Sequence, residues 1–177
     1  MPSGKTHDLV TVVLAPPTFA AAWGLTGSLA LSAAATAAML FGGLMFGPDL
    51  DIQSRQYTRW GPFRFLWWPY KVAFRHRSRW SHGIIFGTLI RVVYFAAVLT
   101  LVVWGAVYLR AALLAGGPAP GWREVVGAWQ AIEAYGLAYG VDGPVLLSVL
   151  AGLWWGAASH TLTDVGWSVV RKGSEIF

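Results

Sequence analysis

Histidine and aspartate are the residues of this sequence whose types and spacing could do chemistry. The chain has four histidines and no cysteine, so imidazole and carboxylate groups are its natural metal ligands. These groups form short clusters beside apolar runs: His7; Asp49 and Asp51; His76 and His82; His160 and Asp164. They exceed one tetrahedral shell and suit two divalent ions, with a bridging carboxylate and an open position for water. We expect zinc, with manganese or iron as alternatives.

The spacing within two clusters limits which side chains can share an ion. His160 and Asp164 lie one helical turn apart, so both can face the same ion from one helix. A continuous helix would separate His76 and His82 by about 120° around its axis, which is too wide for one ion. We therefore expect His76 to come from the loop before the helix that His82 starts.

The remaining candidate ligands are not equally well placed to bind metal. Asp49 and Asp51 would share a side only in an extended chain, so we take Asp49 as the stronger ligand and Asp51 as the weaker. Carboxylates that do not bind metal should orient the imidazoles, and His7 would close the site from the amino-terminal end. Taken singly, each cluster also has a structural explanation, such as a helix cap at Asp51 or a hydrogen bond between His160 and Asp164.

The composition indicates the environment that holds these clusters. Of the 177 residues, 56% are hydrophobic and 12% are charged, whereas soluble domains carry about 25% charged residues. These values exclude a freely soluble globular domain and also intrinsic disorder. The lack of cysteine excludes disulfide scaffolds, iron–sulfur clusters and thiol catalysis.

Four apolar runs are long enough to cross a bilayer as helices, which takes about 20 residues each. The runs cover residues 9–25, 29–46, 84–109 and 144–162. The sequence thus predicts an all-α integral membrane bundle of four transmembrane helices, with residues 1–177 forming a single membrane-embedded metal-binding domain. Pro16 and Pro17 should kink the first helix, because they remove two backbone donors.

Two further patterns predict helices without chemistry. A repeat of small side chains in the second run either lets a neighbouring helix approach closely or marks an ordinary alanine-rich helix. It comprises Ala30, Ala34, Ala38 and Gly42. Apolar residues at helical spacing between Trp122 and Tyr139 predict a short amphipathic helix on the outer surface.

Lysine and arginine indicate the orientation in the membrane. Seven of them lie between residues 48 and 83, whereas only Arg123 lies between residues 111 and 143. The positive-inside rule then places both termini and the basic segment in the cytoplasm, in the inner (cytoplasmic) membrane of a bacterial cell. Topology alone explains these charges; the sharper alternative is contact with anionic lipid headgroups or a substrate phosphate.

The same segment is rich in aromatic residues, so we expect an interfacial basic and aromatic loop that contacts membrane lipids. We do not expect nucleic acid as a partner, because the segment lies beside four membrane spans. With this topology, all the histidine and aspartate clusters meet at the cytoplasmic ends of the helices. Ionisable groups at such positions usually have a functional partner, which favours one shared site.

Several short motifs together resemble a known family. They are Thr6-His7-Asp8, Gly47-Pro48-Asp49-Leu50-Asp51, Arg75-His76-Arg77-Ser78, Ser81-His82-Gly83, and Ser159-His160 with Asp164. As a set, and over nearly the whole chain, they resemble a bacterial family of metal-binding integral membrane proteins of unknown function. The chain is more distantly similar to the YdjM-like predicted membrane-bound metal-dependent hydrolases. The resemblance implies a metal site formed by these histidines and aspartates, and it supplies no substrate.

The leading hypothesis for function is metal-dependent hydrolysis of a phosphoester in a lipid or lipid-linked substrate. Arginine suits bidentate contact with phosphate, and Arg77 is the arginine that we expect to neutralise charge during catalysis. The alternative is a non-catalytic protein in which metal joins the helix ends, as a structural or assembly subunit. A saturated ligand shell favours that alternative, and an open position favours the enzyme. A transporter would instead carry its polar groups near the bilayer midplane.

Overall fold

Helices form the regular structure of this protein. The computed structural model describes residues 2–76, 78–114 and 121–174. The α-helices are α1 (Gly4–Val13), α2 (Ala15–Thr26), α3 (Leu29–Leu44), α4 (Arg55–Thr58), α5 (Trp68–Ala73), α6 (Arg79–His82), α7 (Phe86–Leu114), α8 (Trp122–Ala138) and α9 (Gly143–Ser174). Two 3-10 helices cover Pro48–Asp51 and Gly61–Trp67. These described residues form no strand, so the predicted all-α class is confirmed.

Four stretches have the length and apolar composition needed to cross a membrane, as predicted. They are Gly4–Thr26, Leu29–Asp51, Phe86–Arg110 and Gly143–Arg171. α9 continues well past residue 162, where the fourth run was predicted to end. Its later hydroxyl side chains bond to carbonyls one turn back, as Thr163 does to Ser159 at 2.7 Å, and so they do not interrupt the helix.

α1 begins at a serine cap and ends just before the proline pair. The Ser3 hydroxyl accepts a hydrogen bond from the backbone N–H of Thr6 at 3.2 Å. Pro16 and Pro17 lie in the first turn of α2, where a backbone donor is not required. The boundary between the two helices falls at Leu14, so the predicted kink is found as a break between α1 and α2.

Glycines allow α3 and α9 to approach closely. A methyl group added at Gly156 of α9 would meet the backbone carbonyl of Met39, and one added at Gly42 of α3 would meet the backbone of Leu153. Gly42 belongs to the predicted repeat of small side chains, so at least this end of the repeat serves packing. The close contact fixes the carboxyl end of α3, and the chain that follows it, against α9.

Short helices form the segment between α3 and α7, where a loop was expected. The core of this segment is aromatic: the ring centroid of Trp67 lies 5.4 Å from that of Phe46 and 5.3 Å from that of Trp60. Trp67, Tyr70 and Leu50 are fully buried, because these rings pack around the 3-10 helix Pro48–Asp51. Other aromatic side chains of the segment remain exposed: Phe63, Phe65, Trp68 and Trp80. The expected loop is therefore a folded segment with an aromatic surface.

The chain packs as two compact units. One comprises Met1–Arg91 with Pro144–Phe177, and the other comprises Val92–Gly143. The second unit contains α8, so a helix is found where the amphipathic pattern predicted one. The predicted metal ligands all belong to the first unit. The expectation of a single domain over residues 1–177 stays a prediction.

Candidate metal centre

The predicted ligands come from four parts of the first unit. His7 lies in α1, Asp49 and Asp51 lie in the 3-10 helix after α3, and His160 and Asp164 lie in α9. His76 lies in the turn before α6, as expected, whereas His82 ends α6 rather than starting a long helix. Next to this helix end, the guanidinium of Arg91 donates a hydrogen bond to the carbonyl of Ser81 at 2.7 Å.

His7, His160 and Asp164 form a first group. Their ligand atoms all lie within 4.8 Å of one another. The imidazole rings of His7 and His160 stack with centroids 3.7 Å apart, and His7 Nε2 lies 3.4 Å from Asp164 Oδ1. His7 is 6% exposed and His160 is 4% exposed, so both imidazoles are largely removed from bulk water.

Asp49, His76 and His82 form a second group, again with ligand atoms within 4.8 Å of one another. The rings of His76 and His82 meet edge to face, with centroids 4.8 Å apart. His76 is exposed, so this group lies nearer to solvent than the first. The ligand set thus divides into two groups, the division that two ions would require.

Asp49 lies between the two groups. Its Oδ1 is 3.3 Å from His82 Nε2, and its Oδ2 is 3.3 Å from His160 Nε2. Each carboxylate oxygen faces a different group, which is how a carboxylate bridges two metal ions. A tetrahedral zinc ion, with bonds of about 2.1 Å, sets neighbouring ligand atoms about 3.4 Å apart. The contacts of Asp49 match that spacing.

Buried ligand atoms without hydrogen bonds test whether these residues fit a metal. Among the described residues, none gives a hydrogen bond to the buried His7 Nδ1. His160 Nε2 and Asp164 Oδ1 are also buried, and they have only the longer contacts to Asp49 and His7, at 3.3 and 3.4 Å. Leaving such an atom unsatisfied costs about 1–3 kcal/mol, so native proteins rarely do so. A divalent cation takes lone pairs from imidazole and carboxylate together and would satisfy atoms of this kind. The donor set therefore fits a metal centre.

Asp51 contacts the far side of the histidines of the second group. Its Oδ1 lies 2.9 Å from His76 Nδ1, and its Oδ2 lies 3.6 Å from His82 Nδ1. Asp51 therefore contacts Nδ1 of each imidazole and leaves Nε2 for another ligand. A carboxylate that orients a metal-binding histidine contacts it in this way. Asp49 and Asp51 lie in a 3-10 helix rather than in extended chain, and its three residues per turn aim them to different sides.

Gln56 supports the centre and was not among the predicted residues. Its side-chain oxygen accepts a hydrogen bond from the backbone N–H of Asp49 at 3.0 Å, and its nitrogen donates to the carbonyl of Gly43 at 2.7 Å. The same nitrogen lies 3.4 Å from His160 Nδ1. Gln56 thus joins the 3-10 helix to α3 and α9. A single glutamine in so short a helix carries no signal in the sequence.

Arg91 was also missed, although its position gave a signal. It is 1% exposed, and it donates to the Ser81 carbonyl at 2.7 Å and to the Thr88 hydroxyl at 3.1 Å. The hydroxyl of Tyr70 lies beside the guanidinium, and burial raises the pKa of Tyr70, which keeps this phenol neutral. Arg91 thus binds the backbone of Ser81, the residue before His82, and places a positive charge near the carboxylates of Asp51 and Asp49. A charge inside an apolar run is itself a marker of function.

An ion pair fixes α1 to the segment after α3. The guanidinium of Arg59 donates to both carboxylate oxygens of Asp8, at 2.8 and 2.6 Å, and also to the carbonyl of Leu44 at 2.8 Å. Arg55 contacts the same carboxylate at 2.9 Å. The hydrogen bonds to Asp8 raise the pKa of Arg59, so this pair stays charged. Asp8 therefore holds His7 in place and does not reach the ligand groups itself.

A cleft of about 260 Å³ opens onto the first group and Asp49. His7, His160 and Asp49 form part of its wall, and Ser54 and Arg55 contribute polar surface. The imidazoles of the first group and the carboxylate of Asp49 are thus accessible from one side. Arg77, the predicted catalytic arginine, lies outside the described residues.

Comparison with known proteins assigns the chain to a family. The family described as "Uncharacterized metal-binding protein (DUF2227)" matches residues 2–173. The chain belongs to this family. The matched residues include all the predicted ligands, and metal binding is the property that the family description states. The predicted membership of a metal-binding family is therefore confirmed, while the similarity to YdjM-like hydrolases stays a prediction.

The description of one relative also names no function. An "Uncharacterized protein" of Aquifex aeolicus (strain VF5) is 39% identical over 56 residues, which are 31% of this chain. The aligned part spans 39% of that relative's length. No solved structure matches the chain.

Proposed function

We propose that this protein is a membrane-bound, metal-dependent hydrolase of a phosphoester in a lipid or lipid-linked substrate. His7, His160 and Asp164 would hold one divalent ion, His76 and His82 a second, and Asp49 would bridge them. Zinc suits these ligands, and manganese or iron are alternatives. Bound metal would supply a water of lowered pKa and contacts to phosphate oxygens.

The cleft beside the first ligand group is the observation that carries this proposal. A structural metal site is closed by protein ligands, whereas a catalytic site keeps one side open for water and substrate. Here the cleft of about 260 Å³ reaches His7, Asp49 and His160 directly. Arg55 in its wall adds a positive charge that suits a phosphate, in the manner proposed for Arg77.

The protein's own residues have distinct roles in this proposal. Asp51 orients the imidazoles of His76 and His82 through their Nδ1 atoms. Gln56 fixes the backbone of Asp49, so that the carboxylate stays between the groups. Arg91 balances the negative charge of the two aspartates from within the fold.

An activity screen of metal-loaded protein tests the proposal. Purified protein loaded with zinc or manganese is offered phospholipids and polyprenyl phosphates, and phosphate or headgroup release is measured. We expect turnover by the wild type. Asp49→Asn, which keeps shape but loses charge, should lose both turnover and bound metal, while Glu133→Gln on α8 should retain both. If metal-replete wild type hydrolyses none of these substrates, the hydrolase proposal is wrong.

A structural role for the metal is the second candidate, and one observation favours it. The ligands come from α1, the 3-10 helix, the α6 region and α9, so metal would join four separate segments. Bound metal in stoichiometric amount without turnover, together with loss of the fold on chelation, would support this role. Turnover that depends on Asp49 would remove it.

The membrane location and topology belong to the same proposal. The lengths and composition of the four apolar stretches support a membrane protein in contact with lipids, and the basic residues between 48 and 83 favour cytoplasmic termini in the inner membrane. The chain has no cysteine, so a single introduced thiol reports its own position. Arg64→Cys should resist an impermeant thiol reagent in intact bacterial cells, and Glu133→Cys should react. The reverse labelling would show that the topology, and with it the cytoplasmic site, is wrong.

A further inference from the structure

An apolar groove lies on α2, α3 and α9, away from the polar cleft. Its volume is about 350 Å³. Representative lining residues are Leu14, Pro17, Ala21, Leu25, Ala35 and Trp154. Thr18 and the Trp155 indole are its polar groups, and they satisfy each other: Trp155 Nε1 donates to Thr18 Oγ1 at 3.0 Å. The Thr18 hydroxyl donates in turn to the Leu14 carbonyl at 2.7 Å. The groove therefore offers nothing to a polar ligand.

The groove and the metal centre are formed by adjoining parts of two helical walls, namely α1 followed by α2, and α9. Leu14, at the break between α1 and α2, lines the groove and lies about two helical turns beyond His7. Gly152 lines the groove about two turns before His160 on α9. Along these walls, a polar cleft with metal ligands is followed about 10 Å away by an apolar groove. An amphipathic ligand matches this arrangement, because its charged headgroup is followed by an apolar tail.

We infer that the groove holds one hydrocarbon chain of a lipid substrate whose phosphate headgroup occupies the polar cleft. This inference rests on the proposed function and adds the subsite for the chain. A groove of about 350 Å³ has the size of a small-ligand pocket, and it is too small for a partner helix about 10 Å across. It lies within the stretches that can cross a membrane, where hydrocarbon surrounds it.

The groove should affect where the lipid substrate is held more than how tightly it binds. A lipid tail loses little water when it moves from bilayer to groove, so burial contributes little binding free energy there. Holding the tail limits the positions of the headgroup, and such positioning can lower a reaction barrier substantially. Blocking the groove should therefore lower kcat/KM for long-chain substrates and spare short-chain, water-soluble analogues with the same headgroup.

A matched pair of variants on α2 tests the inference. Ala21→Trp fills the groove, and Ala20→Trp places the same side chain on an exposed neighbouring position that does not line it. The probe is a phosphatidylglycerol with a diazirine near the end of one acyl chain, photolysed with the protein in lipid nanodiscs. Cross-linked residues are mapped by mass spectrometry, and metal content and melting temperature are measured on the same samples.

We expect labels in wild-type protein to concentrate on Leu25 and Trp154. Ala21→Trp should reduce that labelling about tenfold, while Ala20→Trp leaves it unchanged. Ala151→Trp, from the α9 wall, replaces Ala21→Trp if the latter does not bind metal or fold. Labelling of the groove no stronger than that of Val93 and Leu101 on α7, or unchanged in the filled variants, would mean ordinary boundary lipid and overturn the inference.

The readouts separate this inference from the proposed function. Groove labelling that Ala21→Trp removes, in a protein without turnover, would leave the chain subsite standing and remove the hydrolase. Turnover of long-chain substrate that Ala21→Trp does not change would leave the hydrolase standing and remove the chain subsite.

Discussion

α7 and the pair of α3 and α9 are both apolar helices of membrane-spanning length, yet they differ in packing. In the most apolar 18 residues of Phe86–Arg110, mean hydropathy is highest, 2.2, and no residue is buried. The corresponding parts of Leu29–Asp51 and Gly143–Arg171 have lower values of 1.8 and 1.4, and 33% of each part is buried. Apolar content alone therefore does not make a helix part of the folded interior.

Small residues account for the difference. Gly156 and Gly42 lie where any Cβ would meet the backbone of the neighbouring helix, whereas Gly105 of α7 has open space around its Cα. Membrane helices associate through such close backbone contacts, because hydrocarbon exclusion does not drive them together. Of this pair, α9 carries His160 and Asp164, and α3 leads into the 3-10 helix that carries Asp49.

Metal removal should have the largest effect, and it should separate the segments that carry the candidate metal ligands from α8. A ligand present at about 1,000 times its Kd stabilises the native state by about 4 kcal/mol. Chelation should therefore speed amide hydrogen exchange at residues 48–51, 76–82 and 160–164, and leave α8 unchanged. Hydrogen-exchange mass spectrometry with and without EDTA measures this. Equal protection in both states would show that no metal supports these segments.

Gly156→Ala should destabilise the protein by about 3 kcal/mol, because its methyl group forces α3 away from α9. Gly105→Ala is the matched control, and it should be neutral or slightly stabilising because alanine is the better helix former. Thermal unfolding in detergent, followed by tryptophan fluorescence, measures both. Equal melting temperatures for the two variants would contradict the close contact at Gly156.

Arg91→Met should cost about 2 kcal/mol, because the Ser81 carbonyl and its other partners lose a buried donor. Arg110→Met, on the exposed end of the same helix, should change stability by no more than about 0.5 kcal/mol. Metal content should also fall in Arg91→Met, since Ser81 precedes His82. A variant with unchanged stability and metal content would show that Arg91 does not support the site.

The parts that could be predicted from sequence depend on local patterns. Runs of apolar residues predict the four long helices, and the Pro16-Pro17 pair predicts the interruption between α1 and α2. Residue type alone directs attention to His7 and Asp49, which the structure brings to the two ligand groups. Their role as metal ligands stays a prediction, although family membership supports metal binding.

The parts that could not be predicted depend on tertiary neighbours. Gln56 matters because Gly43 and Asp49 flank it in space, and no local pattern marks that position. Asp49 and Asp51 lie in a 3-10 helix that packs on Trp67 and its neighbours, and the spacing of the two aspartates does not reveal this packing. Arg91 is a charge inside an apolar run, but its role depends on the Ser81 carbonyl in another helix, which the run itself does not reveal.

The first ligand group joins His7, near the start of the chain, to Asp164, near its end. Contacts so distant in sequence are slow to form, because a long intervening chain must first be confined. A growing chain has His7 available early, yet this group is incomplete until α9 is made. Metal uptake in this group should therefore be among the last steps of folding, and a nascent chain truncated before α9 should lack that metal.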